Sequence, residues 1–489
     1  MKKQLLPPAA EYAAKMTRRN FFGKTVLGIG SLALGSLLNP GPMAARPLRD
    51  PGGSFPHFAP KAKRIIYLFQ NGAPSHVDLF DYKPMLRKWH GKQIPDELIH
   101  GKRFSTMTGN QPDRPVIAEI SSFSQHGQSG AWISDFMPET AGIADELCFI
   151  KSMYTESVNH APAITFFLTG SEQPGRPSMG SWMTYGLGSI SEDLPAFVTM
   201  TSRDQQNSCG QIFYDYYWGS GFLPGKFQGV KFRGGGDPVL YLKNPEGMSR
   251  ETRRSMLDDI SALNELHFEE YGDPEIQTRI AQYEMAYRMQ MSVPELTDFS
   301  TEPQHILDMY GPDVYRKGSF AYNCLMARKL VEKGVRFIQC MHAGWDQHRN
   351  LNYQLKIQCQ DTDAPSAALV KDLKQRGLLE DTLVIWGGEF GRTPFLQGDI
   401  QDYKNWGRDH HPYVFSLWMA GAGVKPGLSY GSSDEFGFNP VENPVHVHDL
   451  QATLMHIMGI DHEQFTYKHQ GRRYRLTDVH GHVVKDILS

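Results

Sequence analysis

The sequence predicts an α/β protein whose core is a doubly wound, mostly parallel sheet flanked by helices. Short apolar runs rich in β-branched residues alternate with helical segments, most clearly in the C-terminal third of the chain. Strands that alternate with helices are typical of parallel sheets covered by helices on both faces. The chain has 489 residues, of which 40% are hydrophobic, so it can bury the core of one large domain with insertions, or of two domains.

The individual elements follow from the hydrophobic pattern. The first strand is predicted at residues 64–70, an apolar run that stops at Asn71-Gly72 as a buried parallel strand would. A second α/β unit spans residues 135–170, where Asn159 opens a helix that ends at Thr169-Gly170. The C-terminal third predicts helices at 314–333, 367–375 and, capped by Asp449, 449–457, and strands at 335–340, 382–386 and 413–419.

Residues 205–300 differ from the rest, because they are richer in glycine, aromatic and charged residues. They contain the run Gly234-Gly235-Gly236, and a helical pattern returns between Met248 and Met291. We interpret this stretch as an inserted or cap region beside the core sheet.

The N-terminal segment predicts a twin-arginine signal peptide. Residues 17–24 read Thr-Arg-Arg-Asn-Phe-Phe-Gly-Lys, and an apolar run of small residues follows at 25–38. That run is shorter than the roughly 20 residues that a membrane-spanning helix needs. We therefore expect a signal at 1–45, a Pro/Gly-rich linker at 46–62 and the α/β domain at 63–489, with the chain exported to the periplasm or the extracellular space by the twin-arginine machinery. An uncleaved membrane anchor and a chance pair of basic residues are the alternatives.

Charge and cysteine content exclude some classes of protein. Lys plus Arg is 50 and Asp plus Glu is 53, a formal charge of -3, so we expect no nucleic-acid partner and a small-molecule or glycan substrate instead. The five cysteines form no CxxC pair. They are predicted to be small buried apolar residues, with one disulfide left open.

Histidines and carboxylates gather where the strands of such a sheet should end. In open parallel sheets, ligands bind just beyond the carboxyl ends of the strands. Divalent cations take nitrogen and oxygen ligands from several loops there. The candidate metal ligands next to predicted strand ends are Asp346, His348, Glu389, and His410 or His411.

Two further segments bear on this site. Arg392, three residues past Glu389, is predicted either to hold an anionic oxygen of the substrate or to pair with a neighbouring carboxylate. The later segment His446-Val-His448-Asp449 is interpreted as structural, because Asp449 starts a helix and His448 packs beside it.

Several motifs carry a resemblance to a known family. Residues 366–391 and 447–460 resemble segments of sulfatases. The chain from about 60 to 489 resembles the domain of unknown function 1501 family, which comprises sulfatase-like proteins of the alkaline phosphatase superfamily. The most specific motifs are Asn71-Gly-Ala-Pro-Ser-His-Val-Asp78, Asn159-His-Ala-Pro162, Gly344-Trp-Asp346, Gly387-Gly-Glu-Phe-Gly-Arg-Thr-Pro394 and Gly407-Arg-Asp-His-His411.

The resemblance implies a partly altered metal site. Asn71 stands where the superfamily has a metal-binding Asp, and His160 stands where sulfatases have their nucleophile. Glu389-Phe390 takes the place of the Asp-His pair of the second metal. The first metal site is better retained, in Asp346, His348 and His410 or His411. The implied cofactor is a divalent ion, which would be zinc, manganese or calcium.

The predicted function is that of an exported metal-dependent hydrolase of phosphate or sulfate esters, including esters of polysaccharide. His160 or His76 would act as general acid or base, with His160 as a metal ligand an equally open role. The alternative, from another functional class, is a non-catalytic binding or assembly protein on a decayed sulfatase-like fold.

Overall fold

A computed structural model describes residues 55–203, 212–235, 238–239 and 244–489. The predicted signal at 1–45, most of the predicted linker, Cys209 and parts of the 205–300 region lie outside these residues, so those predictions stand untested. Within the described ranges, the longer helices are all too polar to cross a bilayer.

A nine-stranded sheet forms the centre of the fold. Its strands are β1 (Arg64–Asn71), β2 (Leu147–Tyr154), β3 (Phe197–Arg203), β4 (Val230–Phe232), β5 (Phe337–Ala343), β6 (Thr382–Gly387), β7 (Phe415–Gly421), β8 (Leu428–Tyr430) and β9 (Val445–His446). The order is β8-β2-β7-β6-β1-β5-β3-β4, and β9 also pairs with β2. Strand β7 is antiparallel to β2 and β6, whereas the other pairs are parallel. The predicted fold class, a mostly parallel doubly wound sheet, is confirmed.

Helices cover the sheet on both faces. They are α1 (His76–Leu79), α2 (Pro84–Lys88), α3 (Asp96–Ile99), α4 (Pro138–Ala141), α5 (His160–Thr169), α6 (Met179–Leu187), α7 (Arg250–Tyr271), α8 (Pro274–Thr297), α9 (Gln304–Tyr310), α10 (Phe320–Glu332), α11 (Leu351–Gln375) and α12 (Val447–Ile457). Short antiparallel ribbons pair Phe123–His126 with Ala131–Ser134, Gly391–Arg392 with His410–His411, Ser432–Ser433 with Pro440–Glu442, and Tyr467–His469 with Arg472–Tyr474.

Strand β1 shows how the sheet divides the core. Ile66 and Leu68 pack into the cluster that contains α10 and α11, while Ile65, Tyr67 and Phe69 pack into the cluster that contains α5, α6 and α12. Successive side chains of a strand point to opposite faces. A central strand covered on both faces is therefore apolar throughout, as the sequence of β1 is.

Most predicted elements exist, with shifted bounds. The helix predicted at 314–333 begins only at Phe320, because Gly318 has a φ of +81° and the Ser319 hydroxyl accepts a hydrogen bond from the Tyr322 N–H. In α12, His446 rather than Asp449 is the N-cap, and Asp449 lies at the third helical position of a capping box. The strand predicted at 413–419 is β7, which is antiparallel.

The 205–300 region contributes to the sheet and to its helical cover. Strand β4 pairs with β3 at the edge of the sheet. Helices α7 and α8 contact each other, and Met289, Val293 and Leu296 of α8 are buried in the core. The cysteines that the structure describes are free and buried, as predicted: Cys148, Cys324, Cys340 and Cys359.

The carboxyl ends of β1, β5 and β6 lie side by side and lead into the loops that carry the candidate ligands. The loop after β1 lies against the loop after β5. A Cβ atom at Gly72, whose φ is +106°, would lie 2.6 Å from the Asp346 nitrogen. Only glycine fits this close approach of two backbones.

Candidate metal centre

Four side chains from three parts of the chain meet at this edge of the sheet. His160 is the first residue of α5, Asp346 and His348 lie in the loop after β5, and His410 lies in the ribbon with Gly391–Arg392. One ligand atom from each of the four lies within 4.8 Å of the others. We refer to His160, Asp346, His348 and His410 as the metal group.

The Asp346 Oδ1 atom is at the centre of the metal group. It lies 2.8 Å from His348 Nε2, 3.1 Å from His160 Nε2 and 3.5 Å from His410 Nε2. The Nε2 atoms of His348 and His410 are themselves 2.9 Å apart. The three imidazoles thus present the same ring nitrogen to one carboxylate oxygen.

The opposite nitrogen of each imidazole has an oxygen partner. His410 Nδ1 is 2.7 Å from the Val158 carbonyl oxygen, and His348 Nδ1 is 2.6 Å from Gln397 Oε1. Because a carbonyl oxygen only accepts, these two Nδ1 atoms are the donors and their Nε2 atoms carry lone pairs. Two lone pairs that face each other at 2.9 Å repel unless a proton or a cation lies between them.

Glu389 orients the third imidazole. His160 Nδ1 is 2.5 Å from Glu389 Oε1, which also accepts the Gly72 N–H at 3.0 Å. Carboxylates that hold the outer nitrogen of a histidine fix its orientation and raise its basicity as a ligand. The structure thus places Glu389, predicted as a metal ligand, behind His160 and outside the metal group.

The Arg392 side chain pairs with the carboxylate of Asp346. Its guanidinium is 1% exposed and lies 2.6 Å from Asp346 Oδ1. Its remaining donors bond the backbone carbonyls of Gly72, Ala73 and Arg408. These contacts take up four of the five N–H groups of the buried guanidinium. Of the two predicted roles, the pairing with a carboxylate is the one present.

The charges around Asp346 keep it ionised. Burial alone would raise the pKa of its carboxyl, but the Arg392 guanidinium and the contacts with the surrounding imidazoles hold that pKa far below its usual range. Burial, and the positive charges around it, lower the pKa of His410 to about 3. Burial also acts to lower the pKa of His160, but its contacts with the Asp346 and Glu389 carboxylates raise it above the ordinary value.

The structure does not bring His411 or His76 to the metal group. Neighbouring residues of a strand point to opposite sides, so the His411 ring faces away from that of His410. His411 Nε2 bonds the Phe438 carbonyl at 2.7 Å, and its ring stacks on His76 with centroids 6.2 Å apart. His76 Nε2 bonds the Gly437 carbonyl at 2.9 Å. Both rings are buried against backbone partners, which accounts for their separation from the site.

Asn71 lies beside the site without a polar partner. Both polar atoms of its side chain are buried and unbonded among the described residues, and so is Glu389 Oε2. The next residue, Gly72, donates its backbone N–H to Glu389 Oε1. Orphaned buried polar atoms at one place are typical of a site that binds a polar ligand.

Sequence reasoning missed the residues that orient the histidines. Val158 acts through its carbonyl, which any residue type supplies, so nothing in the sequence marks it. Gln397 lies in a loop 49 positions from its partner His348. Asp409 stands out in the sequence only as part of a motif, yet it accepts hydrogen bonds from Ser105 and Thr108 and from the backbone N–H of His410.

Comparisons with solved structures return distant neighbours. The PsFucS1 sulfatase from Pseudoalteromonas sp. is 11% identical over 82% of this chain and 68% of its own, with a TM-score of 0.33. A protein in the alkaline phosphatase superfamily from Vibrio parahaemolyticus is 9% identical over 84% and 70%, with a TM-score of 0.35. The periplasmic domain of EcEptC from Escherichia coli, solved in complex with Zn, is 9% identical over 85% and 87%, with a TM-score of 0.33.

The sequence itself has a family match. No curated protein matches the chain. A family profile with the description "Protein of unknown function (DUF1501)" matches residues 62–488, which is nearly the whole predicted domain. The chain therefore belongs to the DUF1501 family, as its motifs predicted.

Proposed function

We propose that this protein is an exported, metal-dependent hydrolase of phosphate or sulfate esters, with esters of polysaccharides among its substrates. One observation carries the proposal. Three imidazole nitrogens and one carboxylate oxygen converge within 4.8 Å at the carboxyl ends of parallel strands, where α/β enzymes bind their substrates.

The residues of the metal group fit a divalent ion. Two bare Nε2 atoms face each other at 2.9 Å, an arrangement that a cation between them would relieve. The Asp346 and Glu389 carboxylates raise the pKa of His160, which shows that positive charge is favoured at this place. Three nitrogens and one carboxylate oxygen suit zinc, whereas calcium prefers oxygen ligands alone. Among the ions that the sequence suggests, the donor set therefore favours zinc over calcium.

The chain's own residues would prepare the site for ester cleavage. A divalent ion, when bound, supplies Lewis-acid stabilisation of the negative charge that develops on the ester oxygens. Arg392 holds Asp346 in place through the 2.6 Å contact, and Glu389 holds His160. The unbonded amide of Asn71 and the free oxygen of Glu389 are the polar atoms left to contact the ester group.

Composition and the N-terminal segment support the remaining parts of the proposal. The pair Arg18-Arg19 and the apolar run after it support export by the twin-arginine machinery. The near-neutral charge of -3 supports a small-molecule or glycan ester rather than a nucleic acid.

Elemental analysis of the purified protein tests the proposal. We expect stoichiometric zinc in the wild type, and its loss in the Asp346→Ala and His410→Ala variants, because each removes a ligand. His411→Ala is the matched control, since His411 is the next residue, is equally buried and contacts Phe438 instead. This variant should keep its metal.

The activity arm uses an aryl phosphate and an aryl sulfate, with and without a chelator. Turnover that stops with chelator and returns with zinc supports the proposal, and metal-free wild-type protein contradicts it. Metal without turnover of either ester would favour the alternative, a binding or assembly protein. Asn71 in place of a carboxylate, and the use of the buried Arg392 guanidinium to hold Asp346, are the observations that favour this alternative.

A further inference from the structure

A cleft lies beside the C-terminal half of helix α5, where Phe166 and Gly170 are part of its lining. It has a volume of about 520 Å³, which is within the range of small-molecule sites. Tyr154 and Phe166 form its aromatic part, and His446, His448 and Glu156 are among its polar lining. The sequence-based interpretation of His446 and His448 as purely structural gives the cleft no role.

The hydrogen bonds around His448 fix which ring nitrogen faces the cleft. The Gln451 amide nitrogen donates to the Phe166 and Phe167 carbonyls at 3.1 and 2.9 Å, so its oxygen faces the other way. That oxygen lies 2.9 Å from His448 Nδ1 and can only accept. His448 Nδ1 therefore carries the proton and Nε2 carries a lone pair, on a residue that lines the cleft.

His446 leaves a second acceptor in the cleft. Its Nδ1 accepts the His448 backbone N–H at 3.3 Å, so its Nε2 is the donor to Glu156, at 2.8 Å from Oε1 and 3.0 Å from Oε2. One N–H uses only part of what a carboxylate can accept. Glu156 is exposed, and its free lone pairs are open to a ligand.

The basic group in the cleft shares its carboxylate partner. Arg176 pairs with Asp478 at 3.1 Å and lies over the Tyr474 ring, while Arg472 contacts the same carboxylate at 2.7 Å, and Arg176 Nη1 has no hydrogen-bond partner among the described residues. Burial lowers the pKa of His448 to about 4, so this ring is uncharged at neutral pH. The acceptors of His448 and Glu156 would repel an oxyanion, because lone pairs would face lone pairs.

We propose that this cleft binds the hydroxyl groups of an uncharged sugar unit. Sugar hydroxyls donate to the His448 nitrogen and the Glu156 carboxylate, and the C–H face of the ring packs on Tyr154 and Phe166. Such a combination of aromatic faces with a few fixed hydrogen-bonding groups is typical of sites for small polar molecules.

The position of the cleft relates it to the metal group. Phe166 follows His160 by six residues on α5, which corresponds to roughly 9 Å along the helix axis at 1.5 Å per residue. The segment from Glu156 to His160 also connects the two, and its Val158 carbonyl holds His410. This inference rests on the proposed function. We infer that the sugar unit bound in the cleft is adjacent to the sugar unit that carries the ester group.

Direct binding tests this inference without any need for turnover. The wild-type protein is titrated with cellotetraose, mannotetraose and galactotetraose, and separately with sodium sulfate, by calorimetry and NMR. We expect at least one tetrasaccharide to bind, and its affinity to fall by about tenfold or more in His448→Asn. The Asn amide keeps a donor for Gln451 but removes the Nε2 acceptor. His462→Asn, at a buried histidine that bonds Thr477 outside the cleft, is the control and should bind like the wild type.

The outcomes separate this inference from the proposed function. Sugar binding without metal or ester turnover supports the cleft and contradicts only the hydrolase. No tetrasaccharide binding, or equal binding by a folded His448→Asn variant, overturns the cleft. Sulfate binding that depends on His448 also overturns the proposal. The same holds if the wild-type protein binds a second equivalent of metal that the His448→Asn variant does not bind. If His448→Asn does not fold, Glu156→Gln decides: affinity weaker by about threefold or more supports the inference, and unchanged affinity overturns it.

Discussion

His410 and His411 are consecutive residues of one short strand, yet they lie in two different environments. His410 turns its Nε2 to the carboxylate of Asp346, with Val158 holding its other nitrogen. His411 turns its Nε2 to the Phe438 carbonyl and stacks on His76. Both rings are buried, and burial lowers the pKa of each to about 3. Burial and a depressed pKa therefore do not distinguish a candidate ligand from a packed histidine.

The two histidines differ in which ring nitrogen forms a hydrogen bond with a backbone carbonyl. A carbonyl on Nδ1 leaves Nε2 bare and free to bind a cation, whereas a carbonyl on Nε2 uses up the nitrogen at the tip of the ring. The His76–His411 stack is a structural element by this criterion, and the metal group is a ligand-binding one. Three predictions test this comparison, in decreasing order of effect.

The largest effect is expected on stability, when the ion pair next to His410 and His411 is broken. Arg408 lies two and three residues before them and pairs with Asp78 at 2.7 Å, both side chains being fully buried. Asp78→Ala leaves the guanidinium charge buried without its partner. We expect the free energy of unfolding to fall by about 3–5 kcal/mol, measured by urea denaturation.

An exposed ion pair provides the control. Lys333 and Glu295 are 2.9 Å apart, but their side chains are 43% and 68% exposed. Glu295→Ala should change the free energy of unfolding by no more than about 0.5 kcal/mol. Equal effects of the two substitutions would show that the Asp78–Arg408 pair does not hold the ribbon in place.

Much of the metal group was predictable from the sequence. Asp346 and His348 follow an apolar run that reads as a buried strand, and the strand-end rule for parallel sheets then places them at the ligand edge. His160 entered through its motif at the start of α5. The pattern could not decide whether His410 or His411 is the ligand. The answer depends on which side of a two-residue strand faces the site, and pairing with Gly391–Arg392 sets that orientation.

The role of Arg392 was unpredictable for a related reason. Its sequence position near Glu389 fits an arginine that binds a substrate anion as well as one that pairs with a carboxylate. Its donors are taken up by backbone carbonyls from residues 72, 73 and 408, and such contacts leave no mark in a sequence. Likewise, the strand at 413–419 was found by its apolar pattern, but its antiparallel direction depends on its two neighbours in the sheet.

A smaller effect is expected at the residue that orients His348. Gln397→Leu removes the oxygen 2.6 Å from His348 Nδ1, so the ring is no longer fixed with Nε2 towards Asp346. We expect zinc affinity to fall by about 10–100-fold, measured by competition with a chromophoric chelator. The exposed Gln401, in the same loop, provides the control.

Gln401→Leu should leave the affinity for zinc unchanged. If Gln397→Leu also binds zinc like the wild type, then the hydrogen bond to His348 does not select the bare nitrogen, and the criterion drawn from His410 and His411 loses its generality.

The smallest effect concerns a third buried histidine, away from the metal group. His342 Nδ1 lies 2.9 Å from the Ser202 hydroxyl and its Nε2 lies 3.0 Å from Gln358 Oε1, so side chains rather than a backbone carbonyl occupy both nitrogens. Burial, together with the nearby charge of Arg316, lowers its pKa to about 3, against an ordinary value near 6.5.

The pH dependence of stability follows from this shift. Between pH 6.5 and 3 the unfolded chain binds a proton at His342 that the folded chain does not, so its contribution is complete above about pH 6.5 and is lost as the pH falls. The loss amounts to at most about 1.4 kcal/mol per pH unit. We expect urea denaturation of the wild type and of His342→Gln, from pH 7 to pH 5, to give a free energy of unfolding that falls less steeply with decreasing pH in the variant, because the other titrating groups are common to both.

Parallel curves would mean that His342 titrates normally in the fold. A histidine with both nitrogens occupied would then be no more resistant to protonation than an exposed one, and the tautomers assigned around Asp346 from the same kind of contact would lose their support.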